Sequence, residues 1–296
     1  MMNLLAELKK RHVMTSDGAW GTFLHQKGLL PGQCPELWNI THPEEVFDIA
    51  QNYIDAGAEL IETNSFGGSS IKLAHYQLDQ RSAELNEAAA AISRRAAGEN
   101  CFVLGSVGPT GKILMIGDTT EEELYDSFRI QVKALEQGGA DAIIIETMSA
   151  LDEATIAIRA AKENTLLPII CTFTFDASVQ GGYRTMMGVS PEMMAEALLA
   201  AGADIIGANC GNGMAQMVEI VRAIQQATPS TPILVHANAG VPIIQEGKTV
   251  FPDTPEAMAA LTPALIEAGA VIIGGCCGST PEHIRAIAQI IRKYQQ

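Results

Sequence analysis

The chain has 296 residues, 47% of them hydrophobic and 18% charged. That composition supplies a core and excludes a disordered chain. A formal net charge of −15 argues against nucleic acid and against an anionic membrane surface, both of which need a basic face, and leaves a small molecule or a protein as the expected partner. Six cysteines are present, and in a large chain with no export signal free or metal-bound thiols are favoured over disulfides.

Met1 to His12 places Leu4, Leu5 and Leu8 among Glu7, Lys9, Lys10 and Arg11. This is a short amphipathic helix without the continuous apolar stretch of a signal peptide. No run approaches the ~18 apolar residues of a membrane span, so the expected location is the cytoplasm. From there the chain alternates strand and helix. Val13–Thr15 reads as a first strand, leading into Asp17-Gly18, and Pro43–Ala56 reads as a helix. The segment Ala56-Gly-Ala-Glu-Leu-Ile-Glu-Thr-Asn64 follows, then a strand at Phe102–Val107 and a helix at Glu121–Gln137. Gly138-Gly-Ala-Asp-Ala-Ile-Ile-Ile-Glu-Thr147 repeats the earlier phrase, followed by a helix at Ala150–Glu163, a strand at Pro168–Phe173 and a helix at Pro191–Ala201. The phrase returns as Ala201-Gly-Ala-Asp-Ile-Ile-Gly-Ala-Asn-Cys210. After a helix at Met214–Gln226, a strand at Pro232–His236 and a helix at Pro255–Ala268 comes its last copy, Ala268-Gly-Ala-Val-Ile-Ile-Gly-Gly-Cys-Cys277. In each copy the glycine suits the left-handed cap that ends a helix, and the short apolar run suits a strand buried on both faces.

Eight such strands separated by helices predict an α/β fold, a (β/α)8 TIM barrel, with a doubly wound open sheet as the alternative. No Pro/Gly/Ser-rich or charge-dense linker interrupts the alternation, so residues 1–296 read as a single domain. Four segments exceed what a barrel needs: Gly21–Thr41, Gly108–Thr120, Asp176–Ser190 and Gly240–Thr254. All follow strands, which places them on the C-terminal face where barrel enzymes keep their active sites.

Cys210 ends the sixth predicted strand and the pair Cys276-Cys277 ends the eighth, so one strand separates them and three thiols can converge above the barrel mouth. Neighbours in a regular strand point to opposite faces. For both members of the pair to reach one ion the chain must turn there, and Gly274, Gly275 and Gly278 supply that freedom. Three soft sulfur ligands select zinc over magnesium or calcium, and a three-ligand site leaves a coordination position open for catalysis. The alternatives on spacing alone are three buried cysteines or a vicinal disulfide. Cys34, Cys101 and Cys171 read as plain core or loop residues. His236, at a strand end, is either packed there or set beside the metal site, and His283 is expected to be solvated at the start of the last helix.

Ala208-Asn-Cys-Gly211 together with Gly274-Gly-Cys-Cys-Gly-Ser-Thr-Pro-Glu-His283 closely resembles the zinc motifs of the homocysteine S-methyltransferase family. Asp17-Gly-Ala-Trp-Gly-Thr22, Glu62-Thr-Asn-Ser-Phe66, Gly108-Pro-Thr110, Ile145-Glu-Thr147 and Asn238-Ala-Gly-Val-Pro242 look like that family in the same order. The likeness spans roughly residues 13 to 290. It implies that Cys210, Cys276 and Cys277 hold zinc, that the zinc activates the thiol of homocysteine, and that the product is methionine. It further implies that Glu146 holds the substrate amino group and that Asp17, Gly18 and Ala19 line the pocket. Glu62, Thr63, Asn64, Asn209 and Asn238, also at strand ends, are the remaining candidates for substrate binding. No side chain is needed as a general acid or base.

Family members take the methyl group from a methylated corrinoid, from betaine or from S-methylmethionine. The phrases Glu62–Phe66 and Gly274–Thr280 look most like the homocysteine module of cobalamin-dependent methionine synthase. The sequence stops 19 residues after Cys277, which leads to the expectation that a separate corrinoid protein delivers the methyl group, with a small donor entering directly as the alternative. A zinc barrel that binds thiols as a sensor or subunit without turnover is the non-enzymatic reading. An aldolase-type or phosphate-binding barrel would need His or carboxylate metal ligands, or a glycine-rich phosphate loop, and the cysteine pair argues against both.

Overall fold

The computed structural model describes residues 3–245 and 247–295. Eight parallel strands form one sheet: β1 (Met14–Thr15), β2 (Leu60–Glu62), β3 (Phe102–Val107), β4 (Ala142–Met148), β5 (Ile169–Phe173), β6 (Ile205–Asn209), β7 (Ile233–Ala237) and β8 (Ala270–Gly275). Their spatial order is β1-β8-β7-β6-β5-β4-β3-β2. A parallel bridge between Ser16 and Leu60 joins the two ends, β1 and β2. The sheet is therefore a nearly closed barrel of the TIM type, and the open-sheet alternative falls away.

Helices wrap the outside. Pro43–Ala56, Glu121–Gln137, Pro191–Ala201 and Pro255–Ala268 begin and end where the sequence places them, and Leu151–Asn164 and Met214–Ala227 do so within a residue. Sharp stop and start signals explain this agreement. Gly57, Gly139, Gly202 and Gly269, one in each copy of the repeated phrase, have φ of 106°, 101°, 98° and 116°, a left-handed conformation that costs other residues a Cβ clash. Proline opens three of these helices, where its missing N–H has no partner to lose. Thr120 and Glu123 close a reciprocal capping box on the fourth. The helices Ser82–Ala97 and Pro281–Tyr294 complete the outer ring.

Within the barrel the two-residue period of the strands decides what faces the axis. Met14, Leu60, Phe102, Leu104, Ala142, Ile144, Ile170, Ile205, Leu234 and Ile272 form one buried apolar cluster, joined by Leu4 and Leu8 of the N-terminal helix Leu4–Arg11. The helix expected over Met1–His12 thus plugs the bottom of the barrel, though Met1 and Met2 lie outside the described residues. The intervening residues, among them Ile61, Val103, Ile143, Ile145, Ile206, Val235 and Ile273, pack outward in the larger cluster with the helices. Two residues beyond the inward apolar layer stand Glu62, Ser106, Glu146, Thr172 and His236. The same alternation that fills the lower barrel with hydrocarbon fills its upper mouth with polar groups.

Two segments of the C-terminal face form short antiparallel ribbons, Asp176–Ala177 with Tyr183–Arg184 and Ile243–Gln245 with Lys248–Val250. Among the described residues no helix is long and apolar enough to cross a membrane.

Replacing Gly269 with Ala forces a Cβ into the left-handed region and is expected to cost about 1–2 kcal/mol, read as a lower midpoint in urea unfolding. An unchanged midpoint would remove the cap from the account of why the repeat recurs.

Candidate active site

A cavity of about 290 Å³ opens at the C-terminal ends of the strands, with Glu62, Glu146, His236, Cys210, Cys276 and Cys277 among its lining. Gly18, Ala19, Thr63 and Asn64 line it too, as do Trp20, Glu36, Phe66, Ser106 and Thr147, and among the described residues no Lys or Arg lines it. The three cysteines foreseen as ligands do meet. One sulfur from each lies within 4.8 Å of the others, and Cys210 Sγ is 3.8 Å from Cys277 Sγ. Tetrahedral coordination with Zn–S bonds of about 2.3 Å needs sulfurs about 3.8 Å apart, so the donor set and its spacing fit a zinc ion.

The turn that brings them together differs from the one the sequence suggests. Cys210 itself leaves β6 in the left-handed region, with φ of 58°, and Gly278 follows the pair with φ of 81°. Gly274 and Gly275, by contrast, remain in β8 and are needed for close approach: a Cβ on Gly274 would lie 2.6 Å from the Asp17 carbonyl oxygen, and one on Gly275 would lie 2.2 Å from Ser279 Oγ. The thiols share charge unevenly. Hydrogen bonds from Cys276 and Cys277, helped by the Gly211 N–H and the Asn238 side chain, pull Cys210 down to about 3. Cys276 is raised, chiefly by its bonds to Cys210 and Cys277, and Cys277 is pushed up to about 11 by its bond to Cys210. One thiolate is thus already stabilised by two thiols, and a cation at their centre would favour the other two in the same form. Cys34, Cys101 and Cys171 are buried and apart from this cluster, and burial raises all three.

Opposite the sulfurs the mouth is acidic. The Asp17 carboxylate accepts from Trp20 Nε1 at 2.8 Å and from the Glu62 N–H at 2.8 Å. Glu62 Oε1 is 3.3 Å from His236 Nδ1, and Asp17, Glu62 and His236 bring one ligand atom each within 4.8 Å of one another. Glu146 accepts from Ser106 Oγ at 2.5 Å and from Asn209 Nδ2 at 3.2 Å. Burial pushes Asp17 up to about 7, aided by neighbouring Glu62, and pushes Glu62 up to about 8. Burial, then Glu62, raises Glu146 as well. His236 is lowered by burial against the pull of Asp17 and Glu146. Glu62 Oε1 and His236 Nε2 are buried without a hydrogen-bond partner. The mouth therefore holds three carboxylates that a cation would satisfy, with His236 beside Glu62 and no Lys or Arg among the described residues of the lining.

Not every residue singled out from the sequence reaches the cavity. Asp17 and Asn209, both with no exposed surface, and Asn238 at 2%, lie behind it and act on residues that line it. His283 is buried, not solvated: its Nδ1 closes the cap with Thr280 and its Nε2 lies 2.9 Å from the Asp253 carbonyl oxygen, because a histidine at that helix position can serve two backbone segments at once. Ser106 and Thr172 escape a motif search, although each could be found as a hydroxyl two residues past an inward apolar residue, Leu104 or Ile170; Thr147 falls within a motif but carries no sign of its role.

A parallel barrel whose mouth brings together three thiols and, beside them, an acidic recess defines a candidate metal centre next to a pocket suited to positive charge. The model of the homocysteine S-methyltransferase family matches residues 14–291, and the chain belongs to that family. It is 32% identical over 306 aligned positions to a methionine synthase of Mycobacterium tuberculosis, covering 97% of this chain and 25% of that protein, and 31% identical to the methionine synthase of Mycobacterium leprae. The chain spans about a quarter of the length of these relatives. Among solved structures, the metallated homocysteine methyltransferase MmuM of Escherichia coli superposes with a TM-score of 0.80 at 24% identity, over 97% of this chain and 99% of that one. At that identity the likeness speaks for the barrel alone.

An acid whose pKa folding raises keeps its proton in the native state after the unfolded chain has lost it, so stability falls as pH rises between the two values. For Asp17 that window runs from 3.8 to about 7. Asp17→Asn keeps an acceptor for Trp20 and should flatten the decline in Tm across that window at fixed zinc; an equally steep decline would mean that Asp17 is ionised in the native protein.

Proposed function

We propose that this protein is a zinc-dependent S-methyltransferase that converts homocysteine to methionine, with a methylated corrinoid as the donor. The observation that carries the reading is the placement of three thiols and a set of buried carboxylates on one small cavity. Cys210, Cys276 and Cys277 would hold the zinc. When bound, zinc would act as a Lewis acid that keeps the substrate sulfur as a thiolate, the nucleophilic form.

The chain's own groups do the rest. Glu146 and Glu62 accept from the substrate ammonium, and the charge they gain on ionising is balanced by that cation, which reverses the cost of burying them. Ser106 holds one oxygen of Glu146 from below, so the other faces the cavity with Asn209. Gly18, Ala19, Thr63 and Asn64 line the wall beside the carboxylates, while Trp20, Leu24 and Phe66 supply apolar surface that keeps water from the reacting sulfur. The sulfur attacks the methyl carbon, the bond to the donor breaks with its electron pair staying on the donor, and the thiol proton passes to solvent. Asp17 and Asn238 steady the two ends, the first through Trp20 and the Glu62 backbone, the second beside Cys210.

The protein as purified should bind about one zinc per chain, and Cys210→Ala should abolish it; undiminished zinc would sink the ligand set. Glu146→Gln should weaken homocysteine binding roughly tenfold to a hundredfold with zinc intact, and unchanged affinity would remove Glu146 from the pocket. A panel of donors at fixed homocysteine tests the remainder: turnover with a methylated corrinoid protein or methylcobalamin supports the reading, whereas turnover with S-methylmethionine or betaine alone replaces the donor. Homocysteine binding with no turnover on any donor would favour a thiol-binding subunit.

A further inference from the structure

Two residues of the cavity rim, neither of them glycine, adopt left-handed backbone: Thr147 at the end of β4, with φ of 60°, and Cys210 just beyond β6, with φ of 58°. For a β-branched residue this conformation is strained and persists only where its surroundings enforce it. The register of β4 against β5 shifts between Ile145 and Met148, so Glu146 and Thr147 sit at an irregularity where the strand reaches the mouth.

Asn209 grips both residues. Its Oδ1 accepts from the Thr147 N–H at 2.8 Å and from Thr172 Oγ1 at 2.8 Å. Its Nδ2 donates to Thr147 Oγ1 at 2.7 Å and to Glu146 Oε2 at 3.2 Å. Two lone pairs and two N–H groups are the full capacity of a side-chain amide, and all are spent on β4 and β5. Asn209 has no exposed surface, so it serves by holding other groups. Its backbone, meanwhile, runs directly into Cys210, whose N–H bonds to the His236 carbonyl oxygen at 3.0 Å. One residue thus fixes the direction of a sulfur through its main chain and the direction of a carboxylate through its side chain.

Resting on the functional reading above, we propose that Asn209 is a positioning residue that sets the separation between the sulfur site and the ammonium acceptor, and thereby selects homocysteine over thiols with a shorter spacer such as cysteine. The selection follows from geometry. A thiol and an ammonium on one molecule are separated by a fixed number of methylenes, and a rigid pair of acceptors rewards one number only. Thr147 is the spring of the device, and Asn209 is its catch.

The test is calorimetric titration of homocysteine and of cysteine into zinc-loaded protein, with zinc affinity measured by competition against a chelator. Wild type should bind homocysteine; failure to do so would overturn the functional reading and this inference with it. Asn209→Ala should retain zinc within a factor of a few, lose homocysteine affinity by about tenfold or more, and lose most of its preference over cysteine. Adding Thr147→Gly, which accepts the left-handed conformation without a clamp, should recover a large part of that loss, whereas a merely structural asparagine would not be rescued at the rim. Should Asn209→Ala not fold, Thr172→Val removes a single hydrogen bond from Oδ1 and should weaken homocysteine by a smaller factor in the same direction. Wild-type affinity and preference in Asn209→Ala, or in Thr172→Val where that variant stands in, would overturn the inference while leaving the functional reading in place. So would an Asn209→Ala defect that Thr147→Gly leaves untouched.

Discussion

The structure turns on one electrostatic constraint: Asp17, Glu62 and Glu146 are enclosed in the mouth of a parallel barrel whose cavity no Lys or Arg lines among the described residues. Removing a carboxylate from water is costly unless it is neutralised or paired. Burial accordingly lifts all three above the ordinary carboxylate range, which favours their protonated forms while no cation is paired with them. His236 does not resolve the conflict, because the same burial depresses its own basicity. The recess is therefore suited to an incoming cation, and the hydrogen bonds from Ser106, Trp20 and Asn209 hold its oxygens in place.

Beside this recess the three sulfurs pose the opposite problem. Thiolates repel, and two thiols donating to one thiolate at Cys210 is the arrangement that least offends a low-dielectric site. A divalent metal would substitute for the shared protons. Under the proposed function both halves of the mouth would trade protons for positive charge, one for a metal and the other for an ammonium, and a substrate carrying a thiol and an amine would answer both demands at once.

Much of this was legible in the sequence because the signals were local. Proline and glycine mark the helix ends at Pro43, Gly57, Pro255 and Gly269, and Cys210 with Cys276-Cys277 falls at strand ends that the repeated phrase makes visible. The inward polar layer was half legible: Glu62 and Glu146 sit within recognisable motifs, while Ser106 and Thr172 are ordinary hydroxyl residues whose importance depends on their register. The roles of Asp17, Asn209 and Asn238 as supports behind the cavity could not be read, since strand-end position alone does not say whether an amide faces the ligand or the residue that faces it. His283 looked like a first-turn surface residue because nothing in its own helix reveals that the Asp253 carbonyl lies within reach.

The left-handed residues at Thr147 and Cys210 had no sequence signal at all. Propensity predicts against a threonine there, and only the tertiary network explains how it persists. Local rules are expected to fail where a fold has been bent to serve a site, and both failures lie on the cavity rim, one beside the Glu146 carboxylate and one at a cysteine of the thiol cluster. The strain is held by Asn209, placed between β4 and Cys210, where a relaxed backbone would let the two ends of the site drift independently. A barrel provides rigid walls, but the distance across its mouth is set by the loops that leave the strands. This chain fixes that distance with a buried amide whose every hydrogen bond is spent.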